Sequence, residues 1–574
     1  MLLVLAPYVA RGFPSRDDAS DHLSWQASFY HQLSTGELYP RWLADVGREE
    51  GSPPLGAPVF FFYPPLPFFA ASSFGPITSD PSRQLAGGAL LSLCVGTIGT
   101  FAWLRRRFCA PAAAFGAALF LLLPYHLVID LEIRSAYGEL WGLAWLPWIL
   151  ISMDLSKTSR LQALCLGALS MAALLLSHGP TCVSFVPLAS VYLVYVAYEA
   201  RSFRPIALSA AASTLGVGLA ACYVLPALTQ GQFVQQDRLF NDPHFLYSNW
   251  FFFHAAPTDG SQPISLVRAI YYTLFRNNSA LKPFLAALTS VQLLLCWAGV
   301  VALWSSESGQ TKSRDTRVAM TFAWVASAYY FLNLSPSDFL WRHLWLVSRI
   351  QLPWRVNVEI LLCTAVIGTC LASRLLQGTA SKATRPIAVT VIAGFVGLLT
   401  LNVAYGFVYV PFTASSVASS LLTYTILPEH TAPRLESPAP LFQGGNRLNF
   451  IAGGGDGTVV DWKPRDIELD INAAEPSTVA IAQQYYPGWS ATLSPGHYTA
   501  PVDALRARYG VLAVAVPAGR SHVSLLLGWT PNERLGLQVS AISAAVLLLL
   551  LIATLVKSIR YMWVGWGSNP RPTP

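Results

Sequence analysis

Charge is what this sequence has least of. Only 12% of its 574 residues are Asp, Glu, Lys or Arg, while 53% are hydrophobic; soluble domains carry about twice that share of charge. A chain so composed is expected to sit in a bilayer rather than in water. Its formal net charge of +7 is no argument for nucleic acid, because most basic residues lie in short loops between apolar runs, where they set membrane orientation. The eight cysteines, Cys94, Cys109, Cys165, Cys182, Cys222, Cys296, Cys363 and Cys370, all lie in or beside apolar segments. The large polar stretches contain none, so no disulfide framework is expected, and no Cys/His spacing resembles a zinc site. Walker, dinucleotide-binding and hydrolase-elbow motifs are missing, as is any repeat of solenoid period, so ATP-driven work and solenoid architecture are not indicated.

What is there is a series of apolar runs. Candidate spans are 1–10 (partial), 84–104, 110–129, 136–154, 160–178, 181–199, 203–228, 281–304, 317–335, 354–376, 386–408 and 534–556, about twelve in all. Arg105–Arg107, Lys157 with Arg160, Arg201 with Arg204, Lys312 with Arg314 and Arg317, Arg374 with Lys382 and Arg385, and Lys557 with Arg560 occupy every second connection. By the positive-inside rule these connections face the cytoplasm. The segments 11–83, 130–135, the turn at His178, 229–280, 336–353 and 409–533 then face outward. The expected fold is a polytopic α-helical membrane domain over 1–410, with outer loops at 11–83, 229–280 and 336–353. An extracytoplasmic β-rich domain over 411–533, a final span over 534–556 and a cytoplasmic tail over 557–574 follow it.

Both ends of the reading frame are unusual. Met1–Val9 is too short to cross a bilayer and reads as the tail of a first helix whose start lies outside the frame; no basic stretch precedes it as in a signal peptide. Gly567-Ser568-Asn569-Pro570-Arg571-Pro572 is what the T-arm of a transfer-RNA gene encodes when read as protein, so we expect the frame to run into such a gene.

Val59–Phe74 is apolar but carries Pro64, Pro65 and Pro67. Counted as a span it would turn Arg105–Arg107 outward, so it is expected to be a re-entrant or interfacial segment on the outer side. Ser15 and Asp18 resemble a capping box, with Asp in place of Glu, opening a helix that Gly36 stops. Trp25, Phe29, Tyr30 and Leu33 of that helix are expected on the membrane surface. Within 436–530, Thr458–Val460, Ile467–Ile471, Thr478–Ile481, Gly510–Val516 and His522–Leu527 read as strands of a small β-sandwich.

The scarce charges cluster. Asp18, Asp21, His22, Asp130, Glu132, Arg134, Glu139, His178, Arg355 and Glu359 all fall on the outer side, and charges beside hydrocarbon mark working sites. Asp18 suits a general base acting on an acceptor hydroxyl; it also suits a solvated helix start. Asp17 and Asp21, four apart, are candidate oxygen ligands for a divalent cation. Asp130 and Arg134 can pair along one turn, structurally or within a site, with Glu139 beside them. His178, in Ser177-His178-Gly179-Pro180, is a structural turn group or a phosphate or proton contact. Arg349 and Arg355 are natural forks for a phosphate anion, or Arg355 pairs with Glu359 to seat a helix. Tyr485-Tyr486-Pro487-Gly488-Trp489 is a sugar-stacking surface or, more commonly, core and turn.

Asp18 with His22, then Gly36-Glu37-Leu38-Tyr39-Pro40-Arg41-Trp42, then Pro58-Val59-Phe60-Phe61-Phe62-Tyr63-Pro64-Pro65-Leu66, resemble the opening of bacterial membrane proteins that carry the domain label "6-pyruvoyl-tetrahydropterin synthase-related". Arg349-Ile350-Gln351-Leu352-Pro353-Trp354-Arg355 matches a later block, with Leu352 where Phe is usual. This resemblance covers most of the chain to about residue 410, and the β segment resembles the terminal domain of YfhO-like proteins. Pterin chemistry does not follow from it, since the histidine triad of the soluble pterin synthases is not visible.

The architecture is instead similar to GT-C glycosyltransferases. That likeness implies a bacterial inner-membrane enzyme moving a sugar from a polyprenyl-phosphate donor to an extracytoplasmic glycan or protein acceptor. Asp18 would be the base, with Asp21, His22, Asp130, Arg134, Glu139, His178, Arg349 and Arg355 around donor phosphate or acceptor. A transporter or flippase of lipid-linked saccharide is a second reading; it calls for midplane charges and paired repeats, which are few here. A non-enzymatic envelope-assembly protein using 436–530 to bind wall material is a third.

Overall fold

The structure is a computed structural model describing residues 2–48, 52–236, 246–253, 281–307, 312–378, 385–406, 411–413, 430–434, 436–494, 498–500 and 506–567. Parts of the expected outer segments 229–280 and 409–533, and residues 568–574 of the tail, lie outside the described residues. The long helices are α1 (Leu2–Arg11), α2 (Ala19–Ser34), α3 (Pro81–Arg105), α4 (Ala110–Leu122), α5 (Tyr137–Leu155), α6 (Arg160–Leu175), α7 (Gly179–Ala200), α8 (Arg204–Leu219), α9 (Ala221–Thr229), α10 (Leu281–Ser305), α11 (Arg314–Leu332), α12 (Asn357–Leu376), α13 (Arg385–Gly406) and α14 (Pro531–Gly567).

Each apolar run of the sequence is a helix, but not every one is a full span by length and composition. Among the described residues six helices qualify: Pro81–Arg105, Ala110–Ile133, Gly179–Ala200, Leu281–Ser305, Pro353–Leu376 and Pro531–Lys557; a seventh arises if α8 and α9, bent by 74°, are joined. The hydropathy reading counted about twelve. The difference lies in helices such as α1, with ten residues, and α6, with sixteen, which fall short of the roughly 20 residues a bilayer needs.

Two of the runs are broken. The first break follows α4: Leu123, before Pro124, is extended (ψ 140°), because a residue preceding proline avoids the helical region. The chain then winds as a π-helix over Tyr125–Ile133, not the straight continuation to 129 that the run suggested. The second is the bend at Ala220. The backbone groups it frees are met by Ser540 of α14, which accepts from Cys222 N–H (2.8 Å) and donates to Leu219 C=O (2.9 Å). Arg41 donates to Cys222 C=O (2.9 Å).

Helix ends segregate by charge. At one end Arg107 meets Asp154 and Glu199, Lys157 meets Glu199 (2.9 Å), and Arg314 meets Glu199 (2.9 Å). This ties together the ends of α3, α5, α7 and α11; Arg374 and Glu307 join those of α12 and α10 in the same way. Opposite this basic end lies the acid-rich end described below. Between the two, the segment Pro353–Leu376 is enclosed on every side, whereas α14 is mostly exposed along its apolar length.

The proline-rich stretch makes two short turns, Val59–Phe62 and Leu66–Ser72. It stays at the acid-rich end, where Leu66 N–H donates to Leu176 C=O (3.0 Å). The helix expected between Ser15 and Gly36 is α2, with two corrections. It begins at Ala19, so its N-cap is Asp18 rather than Ser15, and the Asp18 side chain makes no capping bond. Trp25 and Phe29 do not face a membrane surface: both are buried, against Phe60 and Phe68. The prolines fold Val59–Ser72 back over this face of α2 and shield it.

Residues 448–527 form a β-sandwich of a three-stranded sheet, β1-β4-β7, and a five-stranded sheet, β2-β3-β8-β5-β6, all antiparallel. The strands are β1 (Leu448–Ala452), β2 (Gly455–Lys463), β3 (Asp466–Ala473), β4 (Ser477–Gln484), β5 (Trp489–Ser494), β6 (Tyr498–Ala500), β7 (Val511–Val516) and β8 (Gly519–Leu527). Alternation reveals β2, β3, β4, β7 and β8; β1, β5 and β6 are short or hold few apolar residues and escape it. Ile467, Leu469, Val479, Ile481, Leu512, Val514, Val523 and Leu525 fill the space between the sheets, and Trp42 and Phe61 from the helical part join that core. Tyr486 and Trp489 are buried there too, as the core-and-turn alternative holds. Beneath the sandwich, Thr530 and Glu533 form a capping box at the start of α14 (2.8 and 3.3 Å). The same Glu533 carboxylate meets buried Arg41 (3.5 Å) and Arg465 (3.5 Å).

Candidate functional site

The π-helical segment is the local device that builds the acid-rich end. Such turns are rare and are frequent at functional sites. Here one places Asp130 and Arg134 on one side of the segment and ends in a sharp reversal at Ser135, whose φ is +52°, before α5 begins. Arg134 Nη1 bonds both Asp130 Oδ1 (2.8 Å) and Glu139 Oε2 (2.8 Å). Tyr125, at the start of the same segment, donates to the other oxygen of Glu139 (2.7 Å). Trp354 stacks its ring on the Arg134 guanidinium at 4.3 Å. Asp130, Arg134 and Glu139 are all buried, so this is a dry ionic triad held from two sides by aromatic residues.

Arg355, on the 3-10 turn Pro353–Val356, also reaches the triad. It lies 3.7 Å from Glu139 Oε2, and its Nε has no hydrogen-bond partner. The pairing of Arg355 with Glu359 does not form. Pro353–Val356 is a 3-10 turn rather than the first turn of α12, so Arg355 does not lie one α-turn from Glu359. Buried Glu359 instead accepts from Ser184 of α7 (2.7 Å).

Asp18 is brought to the triad by the backbone: its N–H donates to Arg134 C=O (3.2 Å). Its half-exposed carboxylate acts electrostatically on both Arg134 and Arg355. The arm leading to Asp18 is tied down a second time, because Tyr8 donates to buried Glu132 on the π segment. Four residues along, His22 lies one turn above Asp18 on α2. It is buried, its Nε2 meets Tyr63 Oη (3.0 Å), and it packs against Trp25, Phe68 and Tyr137. Burial lowers its pKa to about 4, only partly opposed by the Asp18 charge, so His22 is neutral at physiological pH.

His178 caps α7: its Nδ1 accepts from Thr181 N–H (3.3 Å) and faces Thr181 Oγ1 (2.7 Å). That requires an unprotonated Nδ1, so the ring is neutral with its proton on Nε2. Burial holds its pKa low, the Glu139 charge opposing and Arg355 and Arg134 adding to the shift. Two glycines of α5 allow this turn to come close. A Cβ on Gly138 would lie 3.0 Å from Ser177 C=O and 3.1 Å from Tyr63 Oη, and one on Gly142 would lie 3.1 Å from His178 Cβ.

Asp18, His22, Asp130, Arg134, Glu139, His178 and Arg355 thus belong to one neighbourhood. Asp21 lies half-buried on α2. Arg349 is not part of it: it is exposed, with its guanidinium over Trp345 at 5.1 Å. Asp17, beside Asp18 with a φ of +45°, gains no partners for a cation, since no group of three or more His, Cys, Asp or Glu among the described residues is placed to hold a metal ion. Charge reasoning alone missed Tyr8, Tyr63, Tyr125, Ser184 and Trp354. Their signal is a hydroxyl or indole set close in sequence to an ionic residue: Tyr125 five before Asp130, and Trp354 beside Arg355.

Residues 60–239 match the model of a family described as "6-pyruvoyl-tetrahydropterin synthase related domain; membrane protein". No curated protein matches the sequence. Among solved structures, the chain is similar to ArnT from Cupriavidus metallidurans bound to undecaprenyl phosphate, at 13% identity over 66% of this chain and 77% of that one, with a TM-score of 0.29. The apo state of the same protein gives 14% identity over 66% and 76%, with a TM-score of 0.27.

Proposed function

We propose that this membrane protein is a GT-C-like transferase of the bacterial inner membrane, moving a sugar from a polyprenyl-phosphate donor to an extracytoplasmic glycan or protein acceptor. In this reading the acid-rich end faces outward, the basic end faces the cytoplasm, and about twelve helical segments make up the bundle. The observation that carries it is the junction of Asp18 with Arg134 and Arg355, three residues from distant parts of the chain meeting at the end of a helical bundle.

The chemistry suits each group. Asp18 is half-exposed and spends no hydrogen bond on its helix, so it is available to take the proton of an acceptor hydroxyl. Arg355, short of donors satisfied by protein, is a fork for the donor phosphate. Arg134 is already engaged by two carboxylates and stiffens the wall behind it. Attack on the anomeric carbon by a hydroxyl deprotonated at Asp18 breaks the bond to the polyprenyl phosphate. The leaving phosphate carries its negative charge toward Arg355, and the sugar configuration inverts.

The test is a transfer assay in membranes with a panel of polyprenyl-phosphate sugars. Asp18→Asn is expected to lose about 10²–10⁴-fold in rate, the scale of a lost general base, with no change in thermal stability. Normal transfer by that variant would remove Asp18 as base. No transfer by the parent from any donor, together with flipping of lipid-linked saccharide in vesicles, would favour the carrier reading instead.

A further inference from the structure

The stretch between α11 and Pro353 carries a feature that the transfer reaction does not use. Two short turns, Asp338–His343 and Trp345–Ser348, are sharply two-sided. Inward, Trp341 is buried, stacks on Tyr247 at 5.3 Å and donates from its indole to Leu332 C=O (3.2 Å) at the end of α11. Outward, Phe339 (54%), Leu344 (49%), Trp345 (61%) and Leu346 (55%) are exposed. Arg342, His343 and Arg349 are interleaved with them and also exposed. Arg342 pairs with Asp338 (2.5 Å).

We propose that residues 338–349 form a plate that lies in the headgroup layer of the bilayer, its apolar side chains reaching toward the acyl chains and Arg349 and His343 among the lipid phosphates. Three observations select a lipid surface over a protein partner. The plate is bonded directly to the end of α11, whose own exposed side includes Trp324 and Phe331, so it continues an exposed aromatic face. Its outward composition, Trp and Phe with interleaved Arg and His, is that of an interfacial helix. With two arginines to one aspartate its formal charge is positive, which suits phosphate-bearing headgroups.

The plate also leads straight into the site. Ile350 to Arg355 joins them through Gln351, held at a φ of +73°, and Pro353, and Arg355 Nη1 donates to Ile350 C=O (3.4 Å). A plate seated in the headgroup layer fixes the height of Arg355 above the acyl chains. This holds whatever reaction the site performs.

The experiment places a photo-crosslinking benzoylphenylalanine singly at Leu346, at Phe339, and as a control at Leu526, an exposed apolar residue of β8, in the full chain reconstituted into phosphatidylcholine vesicles with a radiolabelled acyl chain. Lipid labelling at Leu346 and Phe339 is expected to exceed that at Leu526 by about fivefold or more, as an interfacial segment requires. Labelling no higher than the control, or cross-links from Leu346 to protein alone, overturns the proposal. Because no activity is measured, failure here leaves the transferase reading standing, and failure of that reading leaves the plate standing.

Discussion

The two ends of the helical bundle both carry ionic clusters, and they are built differently. At the basic end Arg106, Arg107, Lys157 and Arg314 converge on Asp154 and Glu199. Several side chains there remain partly exposed, Arg314 by 49%, Lys157 by 28% and Glu199 by 23%. Asp154 is itself buried, but Glu199 and the long cations Lys157, Arg106 and Arg314 stay in contact with water, so the single pairs these make contribute little. At the acid-rich end Asp130, Arg134 and Glu139 are shut away from solvent, their side chains 5% exposed or less. Buried Asp130 Oδ2 and Arg355 Nε are left without hydrogen bonds. Burial of charge without full satisfaction costs free energy, and a fold tolerates it where a site needs it. The first cluster fastens helix ends; the second keeps charges ready for a ligand.

That contrast can be broken most directly at Arg134. Arg134→Met leaves two buried carboxylates facing each other and is expected to destabilise the fold by about 3–5 kcal/mol, read as a large drop in the thermal midpoint of the detergent-solubilised protein. A drop no larger than that of a basic-end variant would erase the distinction.

Acid provides a second handle on the same end. His22 and His430 are buried and neutral, burial lowering their pKa values from 6.5 to about 4 and about 3. The unfolded chain binds protons that these folded-state rings refuse, so their stabilising contribution is full above 6.5 and is lost as pH falls through about 4 for His22 and about 3 for His430. The thermal midpoint should fall over that window, and His22→Gln should flatten the slope.

A smaller effect is expected at Gly138. Gly138→Ala would press a methyl group against Ser177 C=O and Tyr63 Oη and should cost about 1–3 kcal/mol as an overpacked contact. Lipid-phosphate binding should weaken along with stability if the 176–178 turn moves with it; unchanged melting would mean the turn yields freely.

The least change is expected at the basic end. Lys157→Met should shift stability by only about 0.2–1 kcal/mol, and less at high salt. A multi-kcal loss would show that this end, too, is dry and rigid.

Much of the site's membership was legible because charge is so rare here: in a chain with so few ionisable residues, Asp130, Arg134, Glu139, His178 and Arg355 stand out from apolar surroundings. Which of them pair was not legible. An α-helical reading pairs Arg355 with Glu359, but Pro353 starts a 3-10 turn and sends Arg355 to Glu139, more than two hundred positions away in sequence. The π-helical winding at Tyr125 likewise follows from Pro124 only in hindsight, since proline announces a break but not the geometry that replaces the helix. Trp25 and Phe29 looked like surface aromatics because periodicity cannot tell which apolar face will be covered by a segment folded back from residues 59–72.

By itself the sequence determined the apolar helices, the separation of basic from acidic helix ends, and most of a β-sandwich, because hydropathy and alternation are local properties of the chain. Only the tertiary structure decided that Asp18 lies against Arg134, that Arg349 lies apart, and that Arg41 and Arg465 share Glu533 beneath the sandwich. Those are contacts between segments far apart in sequence, chosen by packing and by the need to satisfy buried charge, and no local pattern encodes them.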